Sequence, residues 1–232
     1  MDEIVEIKDS SAMFQGLSFD ITEGNDERVQ EYYKKLEEDK KRDEQNKRDE
    51  AYRNSGAQKR FWNESLETYQ ASPENKKTFE WIKDFLQAVK EGKNTKNIIF
   101  ISGQRGTGKT HIGCGIVREL GGIIMTSFEL CITYDSCRDF NAPETRIQFL
   151  KRICNQDVLV IDEIGKGIES IEKLIIPFIV DEFYGSKKLL VFLGNIEKLD
   201  FDKIINEDGI DRTNEIGVSL ALTGKSHRIN KK

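Results

Sequence analysis

A chain of 232 residues, 37% hydrophobic and 33% charged with a formal net charge of −5, has room for one well-packed domain and an appendage rather than two full domains. Its four cysteines, Cys114, Cys131, Cys137 and Cys154, form no C-x-x-C pair and have no histidine cluster beside them. That argues against a structural zinc site or a disulfide framework, and each reads as a small buried hydrophobe. No apolar run approaches the ~20 residues that a membrane span needs and no leader pattern follows Met1, so a cytoplasmic chain with free thiols and no membrane partner is expected.

The acidity lies at the N-terminus. Residues 1–56 carry 16 acidic and 10 basic side chains, net −6, against 25 and 26, net +1, in residues 57–232. A segment so acidic does not bind nucleic acid by itself, so any such contact must come from local basic patches further on. Residues 1–24 hold short apolar groups such as Ile4-Val5 without a sustained period, and are expected to be loosely ordered. From Asn25, an N-cap residue followed by Asp26 and Glu27, a charged run free of glycine and proline predicts one long helix to about Asn54. Val29, Tyr32, Tyr33 and Leu36 fall on one face of it. Beyond them, acids four residues before bases (Glu37 with Lys41, Glu38 with Arg42, Asp43 with Lys47, Glu44 with Arg48) support the helix by roughly a few tenths of a kcal/mol each. A solvated spacer and a partner-docking face fit this pattern equally.

Asn54-Ser55-Gly56 signals a turn, which divides the chain into an acidic helical extension, residues 1–56, and a domain, residues 57–232. Ser72-Pro73 marks a helix start, with Phe79, Ile82, Phe85, Leu86 and Val89 as the apolar face of the helix that follows. Strands are then predicted at Ile98–Ser102, Gly122–Thr126, Val158–Asp162, Leu189–Leu193 and Val218–Leu222, with helices between them. This alternation implies a five-stranded parallel sheet flanked by helices, in which ligands sit beyond the carboxyl ends of the strands.

Three strand ends carry candidate chemistry. After the first comes Gly103-Gln104-Arg105-Gly106-Thr107-Gly108-Lys109-Thr110, a glycine-rich loop between an apolar strand and a helix. Its backbone N–H groups would cradle phosphates, with Lys109 on the outer phosphates and the Thr110 hydroxyl on Mg²⁺. The third strand closes on Asp162 and Glu163, the first suited to hold Mg²⁺ and the second to polarise an attacking water, so hydrolysis of ATP is expected. The fourth ends at Gly194-Asn195, where Asn195 is either a turn residue or the group that orients the water and senses the γ-phosphate.

With these residues in place, the chain resembles the AAA+ ATPases of the DnaC type, replicative helicase loaders, and the related IstB-type transposition helpers. The resemblance covers about residues 60 to 230 and rests on Gly106-Thr107-Gly108-Lys109-Thr110-His111, Ile161-Asp162-Glu163-Ile164-Gly165, Gly194-Asn195, Asp211-Arg212 and Gly224-Lys225-Ser226-His227-Arg228. His227 stands where the family has an aromatic residue, leaving Arg228 in register. The resemblance implies that His111 belongs to the nucleotide site, that Asn195 is a sensor, that Arg212 is an arginine finger completing a neighbouring copy's site, and that Arg228 is the C-terminal sensor arginine. A surface salt bridge from Arg212 to Asp208 or Asp211 is the alternative. Too few residues follow Asn195 for a helical lid domain. Residues 127–155 have room for two helices, as in the initiator-like branch where an inserted helix faces single-stranded DNA. Arg138, Arg146, Lys151 and Arg152 there either contact phosphates or form a solvated face, with Tyr134 and Phe140 the aromatic residues at hand.

The function expected is an ATP-dependent loader that grips a hexameric replicative helicase through residues 25–56, assembles through Arg212 and helps place the helicase on single-stranded DNA. The closest rival is an IstB-type helper, disfavoured by the acidic N-terminus. A nucleotide-bound adaptor is disfavoured by intact Lys109, Asp162 and Glu163, and a small-molecule phosphotransferase, for which no acceptor lid is evident, ranks last.

Overall fold

The computed structural model describes residues 27–224 and Ser226, with side chains from Gln30 onward. The expectations for residues 1–24, the Asn25 cap, the Val29 side chain, His227 and Arg228 lie outside the described residues. The chain forms two units, one ending at Gln45 and the other beginning at Asn46.

Helix α1, Glu27–Arg53, starts in the first unit and delivers its last turns to the second. Tyr32 and Tyr33 meet edge to ring at 5.9 Å and with Leu36 form an exposed apolar patch. Arg42 pairs with Asp39, three residues back at 2.7 Å, where the spacing had favoured Glu38. By its contacts the stretch 46–56 groups with the second unit, whereas the sequence pattern places it in the extension. The reason is packing: Tyr52 is buried and its hydroxyl donates to Phe61 O at 3.0 Å, while Arg118 reaches Asp49 at 3.0 Å. Burial pushes the Tyr52 hydroxyl well above its ordinary range.

In the second unit Ser72-Pro73 opens a 3-10 turn, Pro73–Asn75, and the helix proper, α2, is Lys76–Lys90. Asn75 joins that turn to the far end of the chain through a pair of hydrogen bonds with the Thr223 backbone, 2.7 and 2.8 Å. The series then runs β1 (Ile98–Gly103), α3 (Lys109–Leu120), β2 (Ile123–Thr126), α4 (Ser127–Ser136), α5 (Arg146–Cys154), β3 (Val158–Ile164), α6 (Glu169–Tyr184), β4 (Leu189–Gly194), α7 (Lys198–Ile216) and β5 (Gly217–Leu222). All five predicted strands are present, and residues 127–155 hold two helices. Each of those begins with a reciprocal cap, Thr126 with Glu129 and Thr145 with Gln148. α7 breaks at Asn206, whose side chain accepts from Gly209 N at 2.9 Å and so restarts the helix.

The sheet is parallel, in the order β2-β3-β4-β1-β5. Its central strands, β3, β4 and β1, are apolar on both faces because helices cover both. Alternate residues divide between the two layers: Phe100, Leu159, Ile161 and Phe192 pack under α4 to α7, whereas Ile99, Ile101, Val160, Val191 and Leu193 pack under α2, α3 and the Tyr52–Tyr69 segment. The edge at β2 is closed by the chain that leaves α1, since Ile124 N donates to Ser55 O at 2.8 Å. Gly56 lies so close that a Cβ there would sit 2.1 Å from Ile124 O. No helix among the described residues is long and apolar enough to cross a membrane.

Cys114, Cys131 and Cys154 are buried as expected, and Cys137 is partly exposed. Burial pushes the Cys114 and Cys154 thiols up to about 12, so both stay protonated at neutral pH. In the native protein at about pH 8 an aromatic disulfide reagent should titrate the Cys137 thiol fast and the other three only after unfolding. Loss of the fast phase in Cys137→Ser checks the assignment.

Candidate active site

Between β1 and α3 the backbone passes through positive φ at Gly106 (86°) and Gly108 (90°). Neither position has room for a side chain: a Cβ would lie 1.9 Å from Ser226 Oγ at Gly106 and 2.4 Å from the Tyr69 ring at Gly108. The loop is therefore clasped from outside by Ser226 and by Tyr69, whose hydroxyl also donates to Thr107 O at 3.0 Å. Its inner side presents the first N–H groups of α3, which have no intrahelical acceptor and carry the positive end of the helix dipole. Lys109 is buried against the loop, its Nζ donating to Gly103 O at 2.7 Å and Gln104 O at 2.8 Å. The arrangement is suited to an anion.

Across the sheet, β3 continues past its expected end at Asp162 to Ile164, and its register against β4 shifts between Ile161 and Ile164. Glu163 sits in this irregularity with φ 56°, a left-handed conformation that a non-glycine residue adopts at some cost. The kink gives the two neighbouring acids opposite surroundings. Asp162 is 6% exposed, accepting from Thr110 Oγ1 and from Glu163 N, both at 2.7 Å. Burial outweighs these bonds and raises its carboxyl above the usual range. Glu163 is turned outward, with Lys166 Nζ 2.8 Å from its Oε1. Asn195, just past β4, is exposed at the same edge, since β4 lies between β3 and β1.

These groups share one cleft of about 850 Å³. Arg105, Gly106, Gly108, Lys109, Thr110, His111, Asp162, Glu163 and Asn195 all line it, so the sequence-predicted residues of three strand ends do come together. Gly103, Gln104 and Thr107 support the loop from behind: Thr107 Oγ1 donates to Gln104 O at 2.9 Å. A further stretch of lining, Arg60, Phe61, Glu64, Thr68, Tyr69 and Gln70, was not foreseen. Its one signal in the sequence is the recurrence of aromatic residues, Phe61 and Tyr69, in an otherwise polar stretch. His111 fastens that stretch to α3, with Nε2 2.7 Å from Ser65 O and 3.2 Å from Thr68 Oγ1, and its ring edge-on to Tyr69 at 5.4 Å.

Other expected residues lie elsewhere. Arg212, on α7, is not among the residues lining the cleft. It pairs with Asp181 of α6, not with Asp208 or Asp211, and lies over the Tyr184 ring at 5.5 Å. Three of the four bases in residues 127–155 are likewise engaged within the chain: Arg138 and Arg146 with Asp135 at 3.6 and 2.8 Å, and Arg152 with Glu144 at 2.7 Å. Lys151 is exposed, with no ion pair among the described residues. Tyr134 is buried beneath Arg146, 4.6 Å from its ring, which removes it as a stacking platform, while Phe140 is fully exposed.

No protein-family model matches the chain. Among curated proteins it is similar to the replicative helicase loader DnaC of Buchnera aphidicola subsp. Baizongia pistaciae, 35% identical over 176 residues that make up 73% of this chain and 70% of that one. Among solved structures, the crystal structure of the DnaC helicase loader superposes with a TM-score of 0.59 at 23% identity, over 71% of this chain and 99% of that chain. A replication initiator DnaA bound to AMPPCP and single-stranded DNA superposes with a TM-score of 0.56 at 18% identity, over 73% of this chain and 51% of the other. The two structural likenesses establish the fold, a five-stranded parallel α/β sheet flanked by helices, and the extent and identity of the sequence match establish kinship: the chain belongs to the DnaC family of replicative helicase loaders.

Proposed function

We propose that the chain binds ATP with Mg²⁺ in this cleft, hydrolyses it, and uses the cycle to load a hexameric replicative helicase on single-stranded DNA. The observation that carries the first part is the direct bond from Thr110 to Asp162 at the mouth of an anion pocket, with Glu163 beside it. Lys109 would exchange its two carbonyl acceptors for the outer phosphates, which are stronger, charged acceptors. Thr110 Oγ1 and Asp162 Oδ2, 2.7 Å apart, form a hard-oxygen pair that fits Mg²⁺. Among the described residues no group of three His, Cys, Asp or Glu could hold a metal, as suits an ion that completes its shell from water and phosphate. Mg²⁺ there supplies charge neutralisation at the phosphates. Glu163, turned outward by its left-handed backbone, orients the attacking water, and Asn195 shares that task. The Phe61–Gln70 wall receives the base.

Arg212 acts, on this reading, in a neighbouring copy's cleft. Its place on α7, outside the lining of its own cleft, leaves it available for that role, and its pair with Asp181 must open for it. Ser226 packs on Gly106 of the phosphate loop. Family membership supports the helicase as partner, with the Tyr32, Tyr33 and Leu36 patch of α1 as the docking face. The relevant segment ends at Gln45, because residues beyond it belong to the body. Contact of residues 127–155 with DNA falls to Lys151 and exposed Phe140, together with any arginine released from its pair.

Lys109→Ala should abolish ATP binding, and Glu163→Gln should keep it while losing about 10²-fold or more in turnover. Phosphate release measured with binding of a fluorescent nucleotide checks both, and normal hydrolysis in the second variant removes Glu163 from its role. Asp162→Asn, which relieves a buried carboxyl of its desolvation, should raise the melting temperature without nucleotide by ~2–4 °C. The same variant should lose the further rise that Mg²⁺ and ATP give the wild type; an unchanged ligand-induced rise sinks the metal assignment. Light scattering after size exclusion, with a hexameric replicative helicase and ATP, should show a complex with the full chain and none with a chain shortened to begin at Asn46. Retention by the shortened chain moves the docking face to the body.

A further inference from the structure

Lys166 lines the cleft and has no part in the reading above. It follows Glu163 by three residues, and the two are tied twice: Lys166 Nζ lies 2.8 Å from Glu163 Oε1, and Lys166 N donates to Glu163 O at 3.1 Å. The turn that joins them is itself anchored. Gly165 N donates at 2.8 Å to Oε1 of Glu172, a carboxylate only 3% exposed that also accepts from Ser127 Oγ. Glu163 is held in its left-handed conformation by the same turn. The backbone therefore keeps the two side chains close together, and only side-chain torsions, of the lysine stem or of the glutamate, can part them.

We propose that Lys166 is a positioning residue that restrains Glu163, drawing its carboxylate aside and partly neutralising it until the ammonium swings away. This rests on Glu163 orienting the attacking water. The pair is suited to a restraint that yields. Its side chains are 37% and 51% exposed, and an ion pair so placed is weak and screened by salt. The phosphates of a bound nucleotide are the strongest anions the cleft would hold, and they compete with Glu163 for the ammonium. Lys109, buried at the loop, already serves the phosphates on the other side, so Lys166 is needed there only as a counter-charge that can be drawn off.

The test uses the full chain with saturating ATP and Mg²⁺. Lys166→Met keeps the stem and removes the charge. It should raise kcat about two- to five-fold, the range that an exposed pair can exert, with the KM for ATP within about twofold of wild type. Wild-type kcat should rise as salt goes from ~50 to ~300 mM, while that of Lys166→Met stays flat, and Lys166→Arg, which keeps a cation in reach, should give no comparable rise. A kcat unchanged or lower in Lys166→Met overturns the proposal, the lower value making Lys166 a phosphate ligand instead. Glu163→Gln run in parallel separates the two assignments. Turnover lost there without a gain in Lys166→Met overturns the restraint alone, and turnover retained there removes the role of Glu163 and the restraint with it.

Discussion

The hydrogen bond from Thr110 to Asp162 joins two parts of the chain that are not neighbours in the sheet. Thr110 is set by the turn from β1 into α3, Asp162 by the end of β3, and β4 lies between their strands. Their oxygens meet only because α3 packs back across β3 and β4, burying the apolar face of one layer. The chemistry of the cleft is in this sense an outcome of the core: a shift of α3 by about one side-chain diameter would leave a buried carboxylate with the Glu163 N–H alone of its two donors, a costly loss in a buried site.

Two adjacent acids doing different work is a problem of environment. A regular strand would send Asp162 and Glu163 to opposite faces of the sheet, each under a layer of helices. The break in register and the left-handed turn at Glu163 solve it by keeping Asp162 inside and rotating Glu163 to the carboxyl edge. The backbone cost is local and is held in place by the buried Glu172 carboxylate behind the turn. Strain here is coupled to position, as at many reactive sites.

Most of the architecture was legible because the central strands are apolar on both faces and short. Runs such as Leu189–Leu193 leave little else to choose, and the glycine loop between an apolar strand and a helix has few other meanings. What escaped was either non-local or a matter of one bond. Nothing in Glu64, Thr68 or Tyr69 says that they will line the same cleft as Lys109; the only way to find them is the fold that brings residues 60–70 over α3. The boundary at Asn46 hinges on Tyr52 being buried, and a lone tyrosine after a charged run carries no such message. The choice of Asp181 for Arg212 depends on how α6 and α7 pack, whereas sequence proximity suggested Asp208 or Asp211. The reciprocal caps at Thr126 and Thr145 were readable from their spacing to Glu129 and Gln148 and would have fixed the starts of α4 and α5.

The closure of the sheet edge at β2 by Ser55 and Gly56 bears on a different property, the solubility of the body. A parallel strand whose outer amides and carbonyls face open water is a template on which a second chain can pair, and it is commonly where aggregation starts. Here the sheath is the same few residues in which the acidic helix ends, so after proteolysis just beyond Gly56 the cover of this strand would rest on non-covalent packing alone, the buried Tyr52 and the Asp49–Arg118 pair. The cell that makes this chain has a reason to keep that junction intact quite apart from any partner the helix holds.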